Sequence, residues 1–138
     1  MFSEHLMHSF KEFLRRWWPT ALTLAVIAYA TLSSDPLPEY KAFLIPHLDK
    51  LIHAVMFGGL VGAVCFDRAR AGYSIGPAAM LWTGVAVCLL GAVDEVAQAQ
   101  FTDSRAADIL DWCADTAGVL VACFTAPPAV RAVLRRSS

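Results

Sequence analysis

The residues best suited to chemistry lie between Asp94 and Gly118, where the chain is more polar than in the flanking segments. Glu95 and Gln98 share one helical face, just before a break near 102–104. Beyond that break, ionisable residues recur at spacings of three, three and four, which places them in one stripe along a second helix. These residues are Arg105, Asp108, Asp111 and Asp115.

The stripe is unusual because its helix continues as an apolar segment, AGVLVACF. Ionisable groups in a membrane segment are costly unless they face a protein interior or water. A second polar group, Asp49, Lys50 and His53, opens another apolar segment, with Asp49 and His53 on one face. We expect both stretches to contribute to one polar site. Its predicted members are Asp49, Lys50, His53, Glu95, Gln98, Arg105, Asp108, Asp111 and Asp115.

Asp115 is the most deeply placed of these acids. Arg105 lies about 15 Å away along the axis of the same helix, which is too far for a direct ion pair. We therefore expect Asp115 to be protonated or water-linked and to act as a hydrogen-bonding group. The available cations, Arg105, Lys50 and His53, are too few to neutralise every acid.

Two functions without catalysis fit these side chains. In the first, the charged residues form an ion-pair and hydrogen-bond network that locks three helices together and satisfies groups otherwise stranded in lipid. In the second, Arg105, Lys50 and His53 receive an anionic head group at the outer leaflet. Such a group would be a lipid phosphate or a lipid-linked cell-wall precursor.

A catalytic function fits them as well. His53 or Glu95 would serve as the general base, oriented by Asp49 or Gln98, while Arg105 stabilises a phosphoryl or acyl transition state. The protein would then be an intramembrane hydrolase or transferase.

The excess of carboxylates also permits a divalent cation on Glu95, Asp108 and Asp111, where it would lower the pKa of a bound water. An acyl-enzyme route has no support, because Ser104 has no nucleophile-elbow motif around it. The cysteines lie in apolar segments without zinc-site spacing, and we expect them to be buried and inert.

Composition places the chain in a membrane. Its 138 residues are 57% hydrophobic, with a mean hydropathy of +0.52, which is too apolar for an ordinary soluble domain of this size. The formal net charge of −1 offers no basic surface, and no nucleic-acid-binding motif is present, so nucleic acid is excluded as a partner.

The hydropathy pattern predicts an all-α polytopic membrane protein, with residues 1–138 forming a single domain. Four transmembrane helices are expected at about 17–34, 49–66, 77–98 and 107–126, packed as a compact bundle. An amphipathic N-terminal segment predicts an interfacial helix that meets the first span at Trp17, Trp18 and Pro19. The fourth span is expected to stop at Pro127 and Pro128.

The first thirty residues also resemble a secretory signal. Basic residues precede an apolar core and the small-residue triplet Ala28-Tyr29-Ala30. We favour a retained span, because the other apolar segments gain a packing partner if it stays.

Small residues predict close helix contacts. Gly58 and Gly62 provide the small-xxx-small spacing on the second span, and Ala114, Gly118 and Ala122 provide a similar ridge on the fourth.

The distribution of lysine and arginine predicts the orientation. With four spans, one side collects Lys11, Arg15, Arg16, Arg68, Arg70, Arg131, Arg135 and Arg136, whereas the other has Lys41, Lys50 and Arg105. Both termini are therefore expected in the cytoplasm, and the polar site on the extracytoplasmic side of the inner membrane.

The segment DKLIHAVMFGGL is followed about forty residues later by ExxQxxF and RxxDxxDxxADxxG, which begin at Glu95 and Arg105. Together these motifs resemble the VanZ-like family of small bacterial membrane proteins over about residues 20–125. Asp115 stands where that family more often has Asn, and Phe57 where an aromatic with a hydroxyl is common.

The resemblance implies a bacterial envelope protein with a role like glycopeptide (teicoplanin) resistance. The expected partners are membrane lipids and an anionic or lipid-linked envelope group. The intramembrane enzyme and the structural network stay open as alternatives.

Overall fold

The computed structural model describes residues 2–33, 47–102 and 107–136. Its helices are α1 (Phe2–Leu32), α2 (Leu48–Arg70), α3 (Pro77–Phe101) and α4 (Ile109–Arg136), and the described residues contain no strand. The prediction of an all-α chain is confirmed.

Helices α2, α3 and α4 are each long and apolar enough to cross a membrane. Their outward faces carry large exposed hydrophobic side chains, as lipid contact requires. Among these residues are Leu81, Trp82, Leu89, Val93, Leu120, Val121 and Phe124. The chain is therefore compatible with a membrane protein.

Helix α4 does not stop at the Pro127–Pro128 pair, so that prediction is wrong; the helix continues to Arg136. Proline has a helical φ and lacks only its own amide hydrogen bond, although its ring crowds the preceding turn. The continuation is held by packing, because Val130 lies in an apolar cluster with Cys65, Ile75 and Met80.

Helix α1 bends at Trp17, whose φ of −115° and ψ of 22° are not helical. The bend agrees with the boundary expected at Trp17 to Pro19. Side chains at the end of α2 form hydrogen bonds with α1 on both sides of this bend. The buried Asp67 carboxylate accepts hydrogen bonds from the backbone N–H and hydroxyl of Thr20, at 3.0 and 2.8 Å. Arg70 donates to the carbonyl oxygens of Arg15 and Arg16, at 3.2 and 2.8 Å.

Helices α2 and α4 touch backbone to backbone. A Cβ built on Gly118 would lie 2.7 Å from the carbonyl carbon of Ala54 and would overlap its oxygen. A Cβ on Gly58 would lie 3.0 Å from the carbonyl oxygen of Gly118. Gly62 has no described atom within 4 Å of such a Cβ, so the prediction that it makes a close contact is wrong. Gly58 and Gly118, together with the backbone of Ala54, form this seam.

Below the seam lies the main apolar core. It is formed by buried side chains from all four helices. They are Ile27, Phe57, Leu60, Val61, Val87, Val119 and Ala122. The seam and this core fix the depth at which the polar residues at the start of α2 and α4 face one another.

The four cysteines are all free, but they are not all buried as expected. Cys65 is buried, Cys88 and Cys123 are partly exposed, and Cys113 is exposed. The outward position of Cys113 on α4 follows from the helical period, since Asp115 and Ala122 face inward.

Candidate functional site

The polar residues converge at one end of the bundle, because α2 and α4 begin there and α3 ends there. Helix α2 contributes Asp49, Lys50 and His53 from its first two turns, and α3 contributes Glu95 and Gln98 from its last two. Asp108, Asp111 and Asp115 come from the residue before α4 and from its first two turns. We call these residues, with Asp94, the polar cluster. Arg105, the remaining predicted member, lies outside the described residues.

Lys50 lies at the centre of the carboxylates nearest the surface. Its ammonium is 2.6 Å from Asp108 Oδ2, 2.6 Å from Asp111 Oδ1 and 3.1 Å from Asp49 Oδ2. Hydrogen bonds from Lys50, and next from the backbone N–H of Leu110, hold the pKa of Asp108 below its ordinary value. Lys50 therefore links the start of α2 to the start of α4.

His53 and Asp115 form a buried pair. Nδ1 of His53 lies 3.0 Å from Asp115 Oδ1, and the two side chains are 5% and 0% exposed. On the other edge of the ring, Nε2 lies 3.9 Å from Asp111 Oδ2. The residue that orients His53 is thus Asp115, and not Asp49 or Gln98 as predicted. Asp115 was expected to be protonated or water-linked, whereas in the structure its Oδ1 lies directly against His53 Nδ1.

Glu95 contacts the N-terminus of α4. Its Oε2 accepts a hydrogen bond from the backbone N–H of Asp108 at 2.7 Å, and Asp108 Oδ1 accepts one from Leu110 at 2.8 Å. Exposed amides at a helix start favour carboxylates in this way. Glu95 Oε1 and Asp115 Oδ2 are buried without a hydrogen-bond partner among the described residues.

Behind the cluster, α1 is attached through Thr31, a residue that the sequence did not single out. The Thr31 hydroxyl lies 2.8 Å from Asp94 Oδ1, and Gln98 donates to Asp94 Oδ2 at 2.9 Å. Thr31 is fully buried. Asp94 carried a signal, as an acid at the end of an apolar span, whereas a single threonine in α1 carried none.

The described side chains that could hold a metal ion match the predicted set only in part. Asp108 and Asp111 are bonded to Lys50, so only Glu95 of the predicted set remains. His53, Glu95 and Asp115 instead offer ligand atoms that all lie within 4.8 Å of one another. All three side chains are buried, and each belongs to a different helix.

The cluster as described is strongly acidic. Its carboxylates are Asp49, Asp94, Glu95, Asp108, Asp111 and Asp115, whereas Lys50 and His53 are its described cationic side chains. Both already contact carboxylates. An anion that approached this face alone would therefore meet repulsion, and a cation would be attracted.

An open cleft of about 430 Å³ runs along α3 and α4 beside the cluster. Glu95 and Asp108 lie at its polar end, and its apolar wall is formed by Ala92, Ala107, Ile109 and Trp112. The Trp112 indole N–H donates to the carbonyl oxygen of Cys88 at 3.0 Å, which fixes this wall. The cleft suits a ligand with a polar head and a hydrocarbon portion.

Comparison with known proteins identifies no relative of this chain. No family model, no curated protein and no solved structure matches the chain.

Proposed function

We propose that the protein spans the bacterial inner membrane four times, with both termini in the cytoplasm. The apolar part of α1 beyond Pro19 supplies the span that is added to α2, α3 and α4. Two features support this topology. Lysine and arginine concentrate at the end of the bundle that carries Asp67 and Arg136. The polar cluster lies at the opposite end, where α2 and α4 begin.

Reporter fusions test this topology. Alkaline phosphatase fused after Tyr40 or Thr102 should be active, because both positions would be extracytoplasmic, and it should be silent after Arg70 or Arg136. Each fusion is compared with a cytoplasmic reporter at the same position, so that poor expression is not mistaken for location. Phosphatase activity after Arg70 would show that the orientation is reversed and that the polar cluster faces the cytoplasm.

We further propose that the polar cluster and its cleft bind an anionic, phosphate-bearing head group of a lipid or lipid-linked cell-wall precursor together with a cation, because the carboxylates of the cluster would repel the anion alone. This gives the protein a role in the envelope like that of the VanZ-like family, including glycopeptide (teicoplanin) resistance. The observation that carries the proposal is the cleft, whose apolar wall leads directly to Glu95, Asp108 and the Lys50 ion pairs. A lipid tail fits such a wall, and its head group would lie at the polar end.

Photo-crosslinking tests the ligand class. A photoreactive amino acid at Ile109, in the cleft, should capture phosphate-bearing lipids several-fold more than one at Leu110. The two positions are matched, since they are neighbours at the start of α4 and are 67% and 60% exposed, whereas Ile109 is the one that lines the cleft. Adducts are identified by mass spectrometry after illumination of intact cells. The same lipid mixture at both positions would mean that the cleft selects nothing.

A catalytic function is the second candidate, and the His53–Asp115 pair favours it. A histidine oriented by a buried carboxylate is a common arrangement for a general base. In that case the chain is an intramembrane hydrolase or transferase. The candidates differ in turnover: only a catalytic protein should convert the lipid captured at Ile109 into a product, and His53→Gln should then abolish that conversion.

A further inference from the structure

We propose that His53, Glu95 and Asp115 form a binding site for one divalent transition-metal ion, of the zinc or manganese class. The proposal rests on their convergence from three helices. Their ligand atoms lie within 4.8 Å of one another, although the residues are far apart in the chain. Ligands around one ion at about 2.0 to 2.2 Å lie roughly 3 to 4 Å apart, so binding needs only a small contraction.

Two buried oxygens without a hydrogen-bond partner independently support a cation site here. Glu95 Oε1 and Asp115 Oδ2 are buried, and neither has a hydrogen-bond partner among the described residues. Buried carboxylate oxygens ordinarily have one. Glu95 is 6% exposed and Asp115 is fully buried, so bulk water is not in contact with these atoms. An ion between them would satisfy both carboxylates and offset their mutual repulsion.

Lys50 does not offset the charge of Glu95 and Asp115. Its ammonium is already within 3.1 Å of three other carboxylates, those of Asp49, Asp108 and Asp111. Asp111 approaches His53 only to 3.9 Å, through the oxygen that Lys50 does not contact most closely. The cluster is thus divided into an outer part, whose negative charge Lys50 partly offsets, and an inner part, Glu95 and Asp115, for which Lys50 is not a partner.

The surroundings hold the ligands in place and leave room for them. Glu95 is fixed by the Asp108 backbone N–H through Oε2, so Oε1 faces inward. The lack of a side chain at Gly91 on α3 leaves room for the Asp115 carboxylate, since a Cβ at Gly91 would lie 3.1 Å from Asp115 Oδ2. Ligands held by second contacts are typical of metal sites.

The ligand set selects the class of ion. One imidazole nitrogen with two carboxylate oxygens suits zinc or manganese, whereas magnesium and calcium prefer oxygen alone. The ion would also attract an anionic head group to the cleft, and that step alone rests on the proposed function.

Metal titration tests the site. The full chain, purified in detergent, freed of any tag and treated with chelator, should bind one zinc ion in a calorimetric titration with zinc chloride. His53→Gln and Glu95→Gln, which preserve size, should weaken binding at least tenfold. Glu12→Gln and Cys113→Ser are controls that should stay within about twofold, since both residues are exposed and outside the cluster. Binding that is absent in the wild type, or unchanged in both ligand variants, overturns the proposal.

A second measurement needs no variants and covers the case in which they fail to fold. Manganese bound to the wild-type protein should show magnetic coupling to one imidazole nitrogen in pulsed electron paramagnetic resonance. Cobalt in its place should give no thiolate charge-transfer band, which separates this site from the four free cysteines. Bound manganese without nitrogen coupling, or a cobalt spectrum with thiolate bands, would place the ion elsewhere and reject the site.

Discussion

Replacing Gly118 with alanine should lower the free energy of unfolding by about 3 kcal/mol or more, because overpacking against rigid backbone has no inexpensive relief. The added methyl group would overlap the carbonyl oxygen of Ala54, and the carbonyl carbon would be only 2.7 Å away. Neither atom can move without shifting α2 against α4. The measurement is thermal or denaturant unfolding of the purified chain in detergent, together with the amount of protein retained in membranes.

Gly59→Ala is the matched control for that substitution. Gly59 lies in α2 beside Gly58, and a Cβ there meets no described atom within 4 Å. Alanine should therefore stabilise the helix by about 0.5 to 1 kcal/mol, which is the opposite sign. If Gly118→Ala proved as stable as Gly59→Ala, the contact between the two backbones would be wrong, and with it the depth of the polar cluster.

Lys50→Met should be the most damaging substitution at the outer part of the cluster. It removes the cation that Asp49, Asp108 and Asp111 share and leaves like charges facing one another across α2 and α4. Because the edge of the cluster is partly solvated, we expect a loss of about 1 to 2 kcal/mol in stability. Capture of phosphate-bearing lipids at Ile109 should fall severalfold as the start of α4 becomes loose.

A double-mutant cycle separates this contact from a general effect of charge. Asp111→Asn combined with Lys50→Met should cost clearly less than the sum of the two single losses, since each removes the same 2.6 Å contact. Lys11→Met removes one positive charge from an exposed position on α1 and should change stability little. Additive losses in the cycle would mean that Lys50 and Asp111 do not interact.

The sequence could predict the helices and the end of the bundle at which the acids collect, because hydrophobic period and charge are local properties. Helix lengths near 20 apolar residues and the stripe at spacings of three and four require no tertiary information. The backbone contact at Gly118 could also be predicted from the sequence, since small residues at helical spacing favour the close approach of two helices. Of the two glycines predicted to make this contact on α2, only Gly58 does so, because Gly62 has the right spacing but faces open space.

Pairings within the cluster could not be predicted in the same way. Which carboxylate Lys50 contacts, and which acid orients His53, depends on the relative height of α2 and α4, and that height is set by the Gly58–Gly118 seam. The attachment of Thr31 to Asp94 depends likewise on where α1 docks. The continuation of α4 past Pro127 was missed because a proline pair usually breaks a helix, and only the packing of Val130 outweighs that preference.

The capping of α1 by α2 has a consequence for biosynthesis. Asp67 follows its partner Thr20 by 47 residues, and Arg70 is made later still. When α1 leaves the ribosome, the amides at the start of its apolar half have no acceptor except water, and its bend is not yet set. Both are completed only when the far end of α2 has been translated and has folded back. Helices α1 and α2 therefore complete their folding together as a hairpin. In a nascent chain that ends before Asp67, the hydrogen bonds that Asp67 and Arg70 make to α1 would not yet have formed.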